Sequence, residues 1–390
     1  MLRSPTGTLL TPEVAVTQSP SNGTNRRTPH PAPEKRGTTL HTVVSGGAGF
    51  LGSHLCEALL DRGDSVTCVD NLVTGREGNL SHLRQNPHFS FVRVDVTDRE
   101  AINLALSGLR VDAVAHLASA ASPPDYHRIP LETLRVGSRG TENMLELANG
   151  HGARFILAST SEVYGDPQVH PQREDYWGNV NPTGPRSVYD EAKRYAEAVT
   201  SAYGRTRGTN VGIARIFNTY GPRMRAIDGR VVTSFIAQAL NGDALSIYGD
   251  GSQTRSFCYV DDLIRGLIAL LDSSHSGPIN IGNPSERTVA SLAELIVALS
   301  GSDSDIEYFP LPTDDPTRRK PNIDLAMSAL EWMPRVGILQ GLKQTIAWFA
   351  GRPDEVRDAA PFLVGAQPDG QVDIDRSDNS LERLYAEPAA

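Results

Sequence analysis

The chain has 390 residues, of which 39% are hydrophobic and 21% charged, and its formal net charge is −9 at pH 7. These proportions are typical of a soluble globular protein, and the length allows a sizeable core without disulfide or metal staples. The acidic balance, with no run of lysine and arginine in the predicted folded part, argues against nucleic acid as the main partner.

The cysteine pattern excludes two further classes of site. The three cysteines are scattered and form no CxxC pair, which argues against a disulfide framework and against a metal centre. No apolar run approaches the ~20 residues that span a bilayer, and no secretory signal is recognisable, so we expect a cytoplasmic protein that is not in a membrane.

The folded part is expected to begin abruptly after a polar tail. Residues 1–38 are rich in Pro, Thr, Ser, Gly and Asn and predict a disordered tail. Short apolar strands then alternate with helical segments, which predicts an α/β protein with a Rossmann-type, doubly wound parallel sheet. The predicted strands of this sheet are 41–44, 65–70, 89–94, 113–117 and 154–158.

The pattern loosens after residue 220. Segments 231–240 and 292–299 have a helical pattern, and 245–248 and 278–281 have the pattern of strands. We therefore predict a dinucleotide-binding domain at 39–220 and, at 221–350, a smaller C-terminal α/β lobe that mainly binds substrate at the carboxyl edge of the sheet. Residues 351–390 read as a polar, acidic C-terminal tail.

A glycine-rich turn joins the first predicted strand to the first predicted helix. Gly46, Gly49 and Gly52 have the GxxGxxG spacing that permits a tight turn and close approach of a pyrophosphate to a helix N-terminus. Asp70 ends the next strand, where a carboxylate binds ribose hydroxyls and repels a 2′-phosphate; the alternative is a strand-capping aspartate. The pattern favours NAD as cofactor. The expected cofactor site also includes Phe50, Leu51, Asn71, Thr74, Gly75, Asp95, Val96, Leu117, Ser119 and Thr219.

A second constellation carries acid–base chemistry. Tyr189 and Lys193 lie four residues apart on a predicted helix, so both face the same way. An ammonium group and the nicotinamide cation would lower the pKa of the phenol, and Tyr189 could then take a proton from a sugar hydroxyl that Thr160 holds. A surface Tyr/Lys pair is the alternative reading. Tyr189 and Lys193 are also expected to contact the cofactor.

Several stretches together resemble the UDP-glucuronate decarboxylases (UDP-xylose synthases), a family of extended short-chain dehydrogenases/reductases. The resemblance covers roughly residues 41–350, and its early motifs are shared with nucleotide-sugar dehydratases and epimerases. The stretches more specific to decarboxylases are TSEVYG, the SEDYWG-like stretch REDYWG and the RRKP of DPTRRKP. The segments that carry the resemblance are 116–124, 158–167, 170–177, 214–223, 228–232, 248–257 and 315–321.

The resemblance implies a UDP-sugar substrate and a homodimer. It implies that Arg319 faces the reacting sugar and that Asn218, Arg223 and Arg255 contact the diphosphate, since guanidinium groups suit phosphate oxygens. Thr160, Glu162, Tyr189, Lys193 and Arg319 form the expected catalytic set. Further residues are expected to bind substrate, namely Ser122, Arg135, Ser161, Glu162, Tyr203, Arg230 and Tyr248. For Tyr203 the alternative is a packing role on the helix of Lys193.

One dipeptide favours decarboxylation over dehydration. Enzymes that eliminate water across C5–C6 typically carry Asp-Glu after the catalytic threonine, whereas this chain has Ser161-Glu162 and lacks the acid that would protonate a leaving hydroxyl. Oxidation at C4 places a ketone β to the C6 carboxylate, so carbon dioxide can leave without such an acid. The alternatives are a nucleotide-sugar 4,6-dehydratase or 4-epimerase, and a catalytically silent NAD-binding scaffold.

Gly137 departs from the family pattern, because relatives usually have asparagine there. Glycine weakens a helix by ~1 kcal/mol relative to alanine, so we expect a looser helix behind the active site. Reduction of the C4 ketone would then be less tightly coupled, and the products would be UDP-xylose, UDP-4-keto-xylose or both.

The first testable prediction concerns cofactor choice. Because Asp70 should repel the 2′-phosphate of NADP, the purified protein should bind NAD more tightly than NADP. Calorimetric titration of the protein with each dinucleotide measures which of the two it binds more tightly. Tighter binding of NADP would contradict the role assigned to Asp70.

Overall fold

A computed structural model describes residues 39–310 and 318–363 of the protein. The tail expected at 1–38, residues 364–390 of the predicted acidic tail, and residues 315–317 of DPTRRKP lie outside the described residues. In the described part no helix is long and apolar enough to cross a membrane.

The central feature is a parallel sheet, as predicted. In the described ranges it has seven strands in the order β11-β6-β5-β4-β1-β2-β3, and every neighbouring pair is parallel. The order reverses at β1, which is the pattern of a doubly wound fold. The strands are β1 (His41–Ser45), β2 (Ser65–Asp70), β3 (Phe89–Arg93), β4 (Ala113–His116), β5 (Arg154–Thr160), β6 (Val211–Ile216) and β11 (Pro278–Ile281).

Strands of this sheet are apolar because helices cover both of its faces. All seven residues of β5 are buried, and a strand buried on both faces reads as a continuous apolar run rather than an alternating one. The helices are α1 (Phe50–Asp61), α2 (Arg99–Ala105), α3 (Pro123–Arg128), α4 (Pro130–Arg135), α5 (Thr141–His151), α6 (Ser187–Arg207), α7 (Val231–Asn241), α8 (Val260–Asp272), α9 (Val289–Ser300), α10 (Asp324–Leu330), α11 (Ile338–Ala350) and α12 (Pro353–Leu363).

Smaller sheets lie mostly in the second half of the chain. β9 pairs with β12 and β14, β8 with β13, and β7 with β10. Strand β11 belongs to the main sheet although it lies within 221–350, so this segment builds part of both regions. The bounds are β7 (Thr219–Tyr220), β8 (Leu245–Tyr248), β9 (Thr254–Ser256), β10 (Cys258–Tyr259), β12 (Glu286–Thr288), β13 (Ile306–Phe309) and β14 (Arg318–Arg319).

The segment expected to open the acidic tail begins with an ordered helix. Val356 and Ala359 of α12 are buried in the main core, and the Asn241 side chain donates a hydrogen bond to the Val356 carbonyl at 3.1 Å. The polar composition of this segment describes the solvent-facing side of α12, while two small apolar side chains anchor it against α7.

Gly137 packs against the helix that carries Tyr189 and Lys193. It lies in a π-helical turn, Val136–Gly140, between α4 and α5. A Cβ at Gly137 would come within 2.6 Å of the Ala192 Cβ and 2.9 Å of the Ala192 carbonyl oxygen. The premise that Gly137 loosens this helix is therefore wrong, because the missing side chain lets the turn approach α6 closely.

This contact generates a prediction about Gly137→Asn. As the helices stand, an asparagine at 137 would push Ala192 and with it the neighbouring Tyr189 and Lys193, so we expect a lower melting temperature and slower turnover. Adding Ala192→Gly should recover only part of both losses, because it removes the contact with the Ala192 Cβ but leaves the contact with the carbonyl oxygen, and glycine in a helix costs ~1 kcal/mol. The Ala192→Gly single variant is the control. If Gly137→Asn alone is as stable and active as wild type, the close contact does not constrain α6.

Candidate active site

A cavity lies at the carboxyl ends of the parallel strands. Its volume is about 370 Å³, and every residue predicted for the cofactor lines it, from the glycine turn to Asp95, Ser119 and Thr219. The sheet explains this convergence, because the loops after β1, β2, β3, β4 and β5 all emerge at one edge.

The glycine turn is closed by direct contact between backbone atoms. A Cβ at Gly52 would lie 2.1 Å from the Gly46 carbonyl oxygen, so no larger residue fits where α1 crosses the turn. The Gly49 N–H donates to the same carbonyl at 3.2 Å. This packing brings the start of α1, with its unpaired N–H groups, to the cavity, which is the arrangement that binds a pyrophosphate.

Asp70 is held in place by the backbone of the neighbouring loops. Its carboxylate accepts hydrogen bonds from the N–H groups of Ala48 at 3.0 Å and Leu72 at 2.8 Å. Burial raises the pKa of Asp70, and these two bonds oppose that effect. Farther along the edge, the Asn71 side chain donates to Asp95 at 2.8 Å. Both carboxylates keep oxygen lone pairs with which they could accept hydrogen bonds from a ribose or an adenine.

Tyr189 and Lys193 lie on one face of α6 beside the end of β5. The Lys193 Nζ is 5.9 Å from the centre of the Tyr189 ring and donates to the Ala158 carbonyl at 2.8 Å. Tyr126 stacks on the Tyr189 ring, with centres 5.3 Å apart and planes at 10°. Thr160 is within hydrogen-bonding reach of the Tyr189 hydroxyl, so these groups meet as the sequence predicts.

The protonation of this pair is controlled first by burial. Burial raises the pKa of Tyr189 despite the hydrogen bond with Thr160, whereas the sequence-based expectation was a lowered value. Burial lowers the pKa of Lys193 to about 8. Desolvation disfavours the charged form of both groups, so the protein alone holds Tyr189 as a phenol. A bound nicotinamide cation would favour the phenolate by its charge.

Glu162 is held between two arginines immediately after Thr160. Its Oε2 accepts a hydrogen bond from Arg186 Nη2 at 2.9 Å, and its Oε1 accepts one from Arg319 Nη1. Burial alone would raise the pKa of Glu162, but Arg319 and Arg186 outweigh it and lower the pKa to about 2. Glu162 is therefore a carboxylate at neutral pH.

Six of the residues predicted for substrate line the cavity beside Glu162 and Thr160. Ser122 does so with its hydroxyl already engaged, because it donates to Asp125 and accepts from Arg225 at 3.2 Å. It therefore supports the cavity wall and has no proton left for a substrate oxygen. The six are Ser122, Arg135, Ser161, Asn218, Arg223 and Arg230.

Tyr203 is the clearest departure from the predicted site. The ten residues from Lys193 to Tyr203 span roughly 15 Å of helix, and the Tyr203 hydroxyl donates to Glu146 on α5. Burial and this glutamate raise the pKa of Tyr203 to about 12. The prediction that Tyr203 binds substrate is corrected accordingly: it packs between helices, away from the cavity.

Three other predicted residues stand behind the cavity wall. Arg319 reaches the site through Glu162 and also donates to the Gly165 carbonyl at 3.1 Å. Arg255 lies opposite Arg319 in the register of β9 and β14. Tyr248 packs against Phe309, with ring centres 5.8 Å apart. None of the three lines the described cavity.

Comparison with known proteins agrees with this geometry. A sequence model described as "NAD dependent epimerase/dehydratase family" matches residues 42–282. The chain belongs to that family. It is 50% identical over 313 residues to UDP-glucuronic acid decarboxylase 1 of Arabidopsis thaliana, covering 80% of this chain and 70% of the relative. It is 51% identical over 308 residues to the Danio rerio protein of the same name, covering 79% and 72%.

Solved structures of the family have the same fold. One is UDP-glucuronic acid 4-epimerase from Bacillus cereus in complex with UDP-glucuronic acid and NAD, with a TM-score of 0.72 and 28% identity over 80% of this chain and 99% of the other. NAD is the cofactor of this epimerase/dehydratase family, and the closed glycine turn and the buried Asp70 of this chain fit it.

Sequence reasoning missed four polar residues at the site of this chain. Asp125, Arg225 and Asp228 line the cavity, with Arg225 paired to Asp125 and Asp228 to Arg230. Arg186 holds Glu162 from the start of α6. Two of them carried a usable signal: Arg186 lies three residues before Tyr189, one helical turn away, and Asp228 opens the segment 228–232 that carries the resemblance. Asp125 and Arg225 carried none, because they lie 100 residues apart in the chain.

Removal of the Tyr189 hydroxyl is the direct test of this site. Tyr189→Phe keeps the ring that stacks on Tyr126 but removes the group that accepts a proton, so we expect turnover to fall by ~10²-fold or more with NAD still bound. Tyr203→Phe on the same helix is the matched control and should turn over like wild type. Normal turnover by Tyr189→Phe would contradict its role as the base, and a large loss in Tyr203→Phe would contradict its placement outside the site.

Proposed function

We propose that this chain is an NAD-dependent UDP-glucuronate decarboxylase, a lyase that converts UDP-glucuronic acid through a UDP-4-keto intermediate to UDP-xylose, UDP-4-keto-xylose or both. The observation that carries the proposal is that Ser161 lines the cavity directly after Thr160, at the position where enzymes that eliminate water typically carry the acid for the leaving hydroxyl. Serine cannot protonate a leaving hydroxyl, and two arginines hold the following Glu162 as a carboxylate, so neither residue supplies the acid of a dehydration. The names of the relatives at about 50% identity support the same substrate.

The first half of the reaction uses Thr160, Tyr189 and Lys193. Thr160 holds the sugar O4 hydroxyl, and Tyr189 removes its proton while hydride leaves C4; NAD, when bound, accepts that hydride and can return it. Lys193, at 5.9 Å from the Tyr189 ring, favours the phenolate by its charge. The protein thereby oxidises C4 to a ketone.

The second half follows from the position of the new ketone. The C4 carbonyl is β to the C6 carboxylate, so the C5–C6 bond can break with its electron pair passing to O4 as carbon dioxide leaves. Thr160 and the protonated Tyr189 donate hydrogen bonds to that enolate oxygen. Protonation at C5 restores the ketone, and return of hydride to C4 gives the pentose.

The remaining predicted residues are proposed to hold the nucleotide. Asn218, Arg223 and Arg230 line the cavity and suit the diphosphate and the sugar, while Arg255, Tyr248 and Arg319 support the wall from the 221–350 lobe. Guanidinium groups bind phosphate oxygens in pairs of hydrogen bonds. Residues 39–220 would then hold mainly NAD, and residues 221–350 mainly the UDP-sugar.

A homodimer in the cytoplasm is also proposed. The resemblance implies pairing through the helices that carry the Tyr–Lys pair, and exposed apolar side chains on α4 and α6 support it, namely Leu131, Leu134 and Tyr195, which are 60%, 37% and 44% exposed. Cys56, Cys68 and Cys258 are buried and unpaired, as in a reducing compartment.

Epimerisation at C4 is the second candidate. Its specific support is the similar fold of the Bacillus cereus 4-epimerase that binds UDP-glucuronic acid. An epimerase would return hydride before carbon dioxide leaves, and its product would have the mass of the substrate.

Incubation of the protein with UDP-glucuronic acid and NAD tests the proposal. We expect mass spectrometry to show products lighter by carbon dioxide, with UDP-xylose and UDP-4-keto-xylose resolved by the two hydrogens that separate them. Because Gly137 packs tightly on α6, we expect UDP-xylose to dominate. A product of unchanged mass would favour the epimerase, and no conversion by protein that binds both ligands would favour the silent scaffold.

A further inference from the structure

Arg186 occupies a position in the site that none of the expected catalytic roles covers. It is the residue before α6, and its carbonyl accepts hydrogen bonds from the N–H groups of Tyr189 at 3.2 Å and Asp190 at 3.3 Å. Its guanidinium turns toward the end of β5 and donates to Glu162. One residue thus contacts both the helix of the base and the carboxylate after Thr160.

The carboxylate of Glu162 has one guanidinium on each oxygen. Arg186 holds Oε2 and Arg319 holds Oε1, and the side chains of Glu162 and Arg319 are only 14% and 4% exposed. With one partner removed, Glu162 could rotate toward the other, because a single hydrogen-bonded oxygen does not fix a carboxylate plane. The second arginine therefore determines the orientation of Glu162.

A second acidic side chain lies close to this cluster. Asp190, in the first turn of α6, is buried, and its Oδ1 accepts no hydrogen bond in the described part of the chain. Burial and Glu162 raise the pKa of Asp190 to about 7, so it is partly protonated near neutral pH. Glu162 is therefore the carboxylate that stays ionised between the two guanidinium groups, beside the cavity that it lines.

We infer that Arg186 is a positioning residue for the loss of carbon dioxide: it fixes the orientation of Glu162, which lines the cavity, toward C5 and C6 of the bound uronate. This inference rests on the proposed function. The step that it supports is the breaking of the C5–C6 bond, whose electron pair passes to the C4 ketone while carbon dioxide leaves. Arg186 acts through Glu162, and the earlier C4 oxidation by Tyr189 does not need it.

Arg186→Gln separates the two halves of the reaction. Rapid mixing with UDP-glucuronic acid and NAD would follow C4 oxidation by the absorbance of the reduced cofactor, and carboxyl-labelled substrate would follow carbon dioxide. In the variant we expect C4 oxidation to continue while carbon dioxide release slows by ~10²-fold, the typical cost of a misplacement near 1 Å. Reduced cofactor and the 4-keto uronate should accumulate.

The pH profile provides a readout that a purely structural role would not move. Burial raises the pKa of Glu162 and the two arginines lower it, so without Arg186 the carboxylate should take up a proton at higher pH. Carbon dioxide release by Arg186→Gln should then be lost as pH falls through that raised pKa. The acidic limb of its pH profile should therefore lie at higher pH than that of wild type. The charged and titratable groups facing Glu162 are Arg186, Arg319, Asp190, Tyr126 and Tyr189.

Two further variants complete the experiment. Arg207→Gln removes the same charge from the last turn of α6, where Arg207 pairs with Glu146 away from the cavity, and should behave like wild type. Arg186→Lys keeps the charge and should keep the acidic limb near its wild-type position. The pH profile of this variant also serves as the test if Arg186→Gln does not fold.

The outcomes are distinguishable. The inference is overturned if folded Arg186→Gln slows C4 oxidation and carbon dioxide release equally. It is also overturned if carbon dioxide release keeps pace with C4 oxidation and the acidic limb of the pH profile does not move. If the acidic limb of Arg186→Lys moves as far as that of Arg186→Gln, the inference is overturned as well, because the lysine keeps the charge. Absence of carbon dioxide release by the wild-type protein would instead refute the proposed function.

Discussion

The carboxylate of Glu162 accepts a hydrogen bond from a guanidinium on each side, and this shared pair of contacts ties three distant segments together. Arg186 comes from the start of α6, Glu162 from the turn after β5, and Arg319 from β14 in the second half of the chain. Burial of such charges is costly unless each is paired. The need to satisfy Glu162 therefore holds the lobe, the catalytic helix and the main sheet in one arrangement.

This constraint also limits the chemistry. With Glu162 held as a carboxylate and a serine at 161, neither residue supplies the acid of a dehydration, whereas loss of carbon dioxide from a β-keto acid needs no acid at the leaving group. In the same cavity, the protein holds Tyr189 as a phenol by burial. In the proposed function its activation would depend on the charge of Lys193 and on that of a bound nicotinamide.

The fold was largely predictable because its signals are local. The first five strands follow from short apolar runs, and the glycine turn follows from a spacing that only glycine satisfies at Gly52. Gly137 shows the limit of such reasoning. Helix propensity predicted a weakness there, but packing against Ala192 makes the absence of a side chain a requirement. Propensity describes an isolated helix, and a neighbouring helix overrides it.

The amino-acid sequence by itself determined the parallel sheet, the dinucleotide edge and the pairing of Tyr189 with Lys193, since each depends on spacing within one segment. Tertiary structure alone decided that Arg186 and Arg319 share Glu162, that Asp125 pairs with Arg225 across the cavity wall, and that Tyr203 lies away from the site. These contacts join residues far apart in the chain or depend on distance along a helix. No local pattern specifies them, because their geometry exists only once the sheet has brought the loops to a common edge.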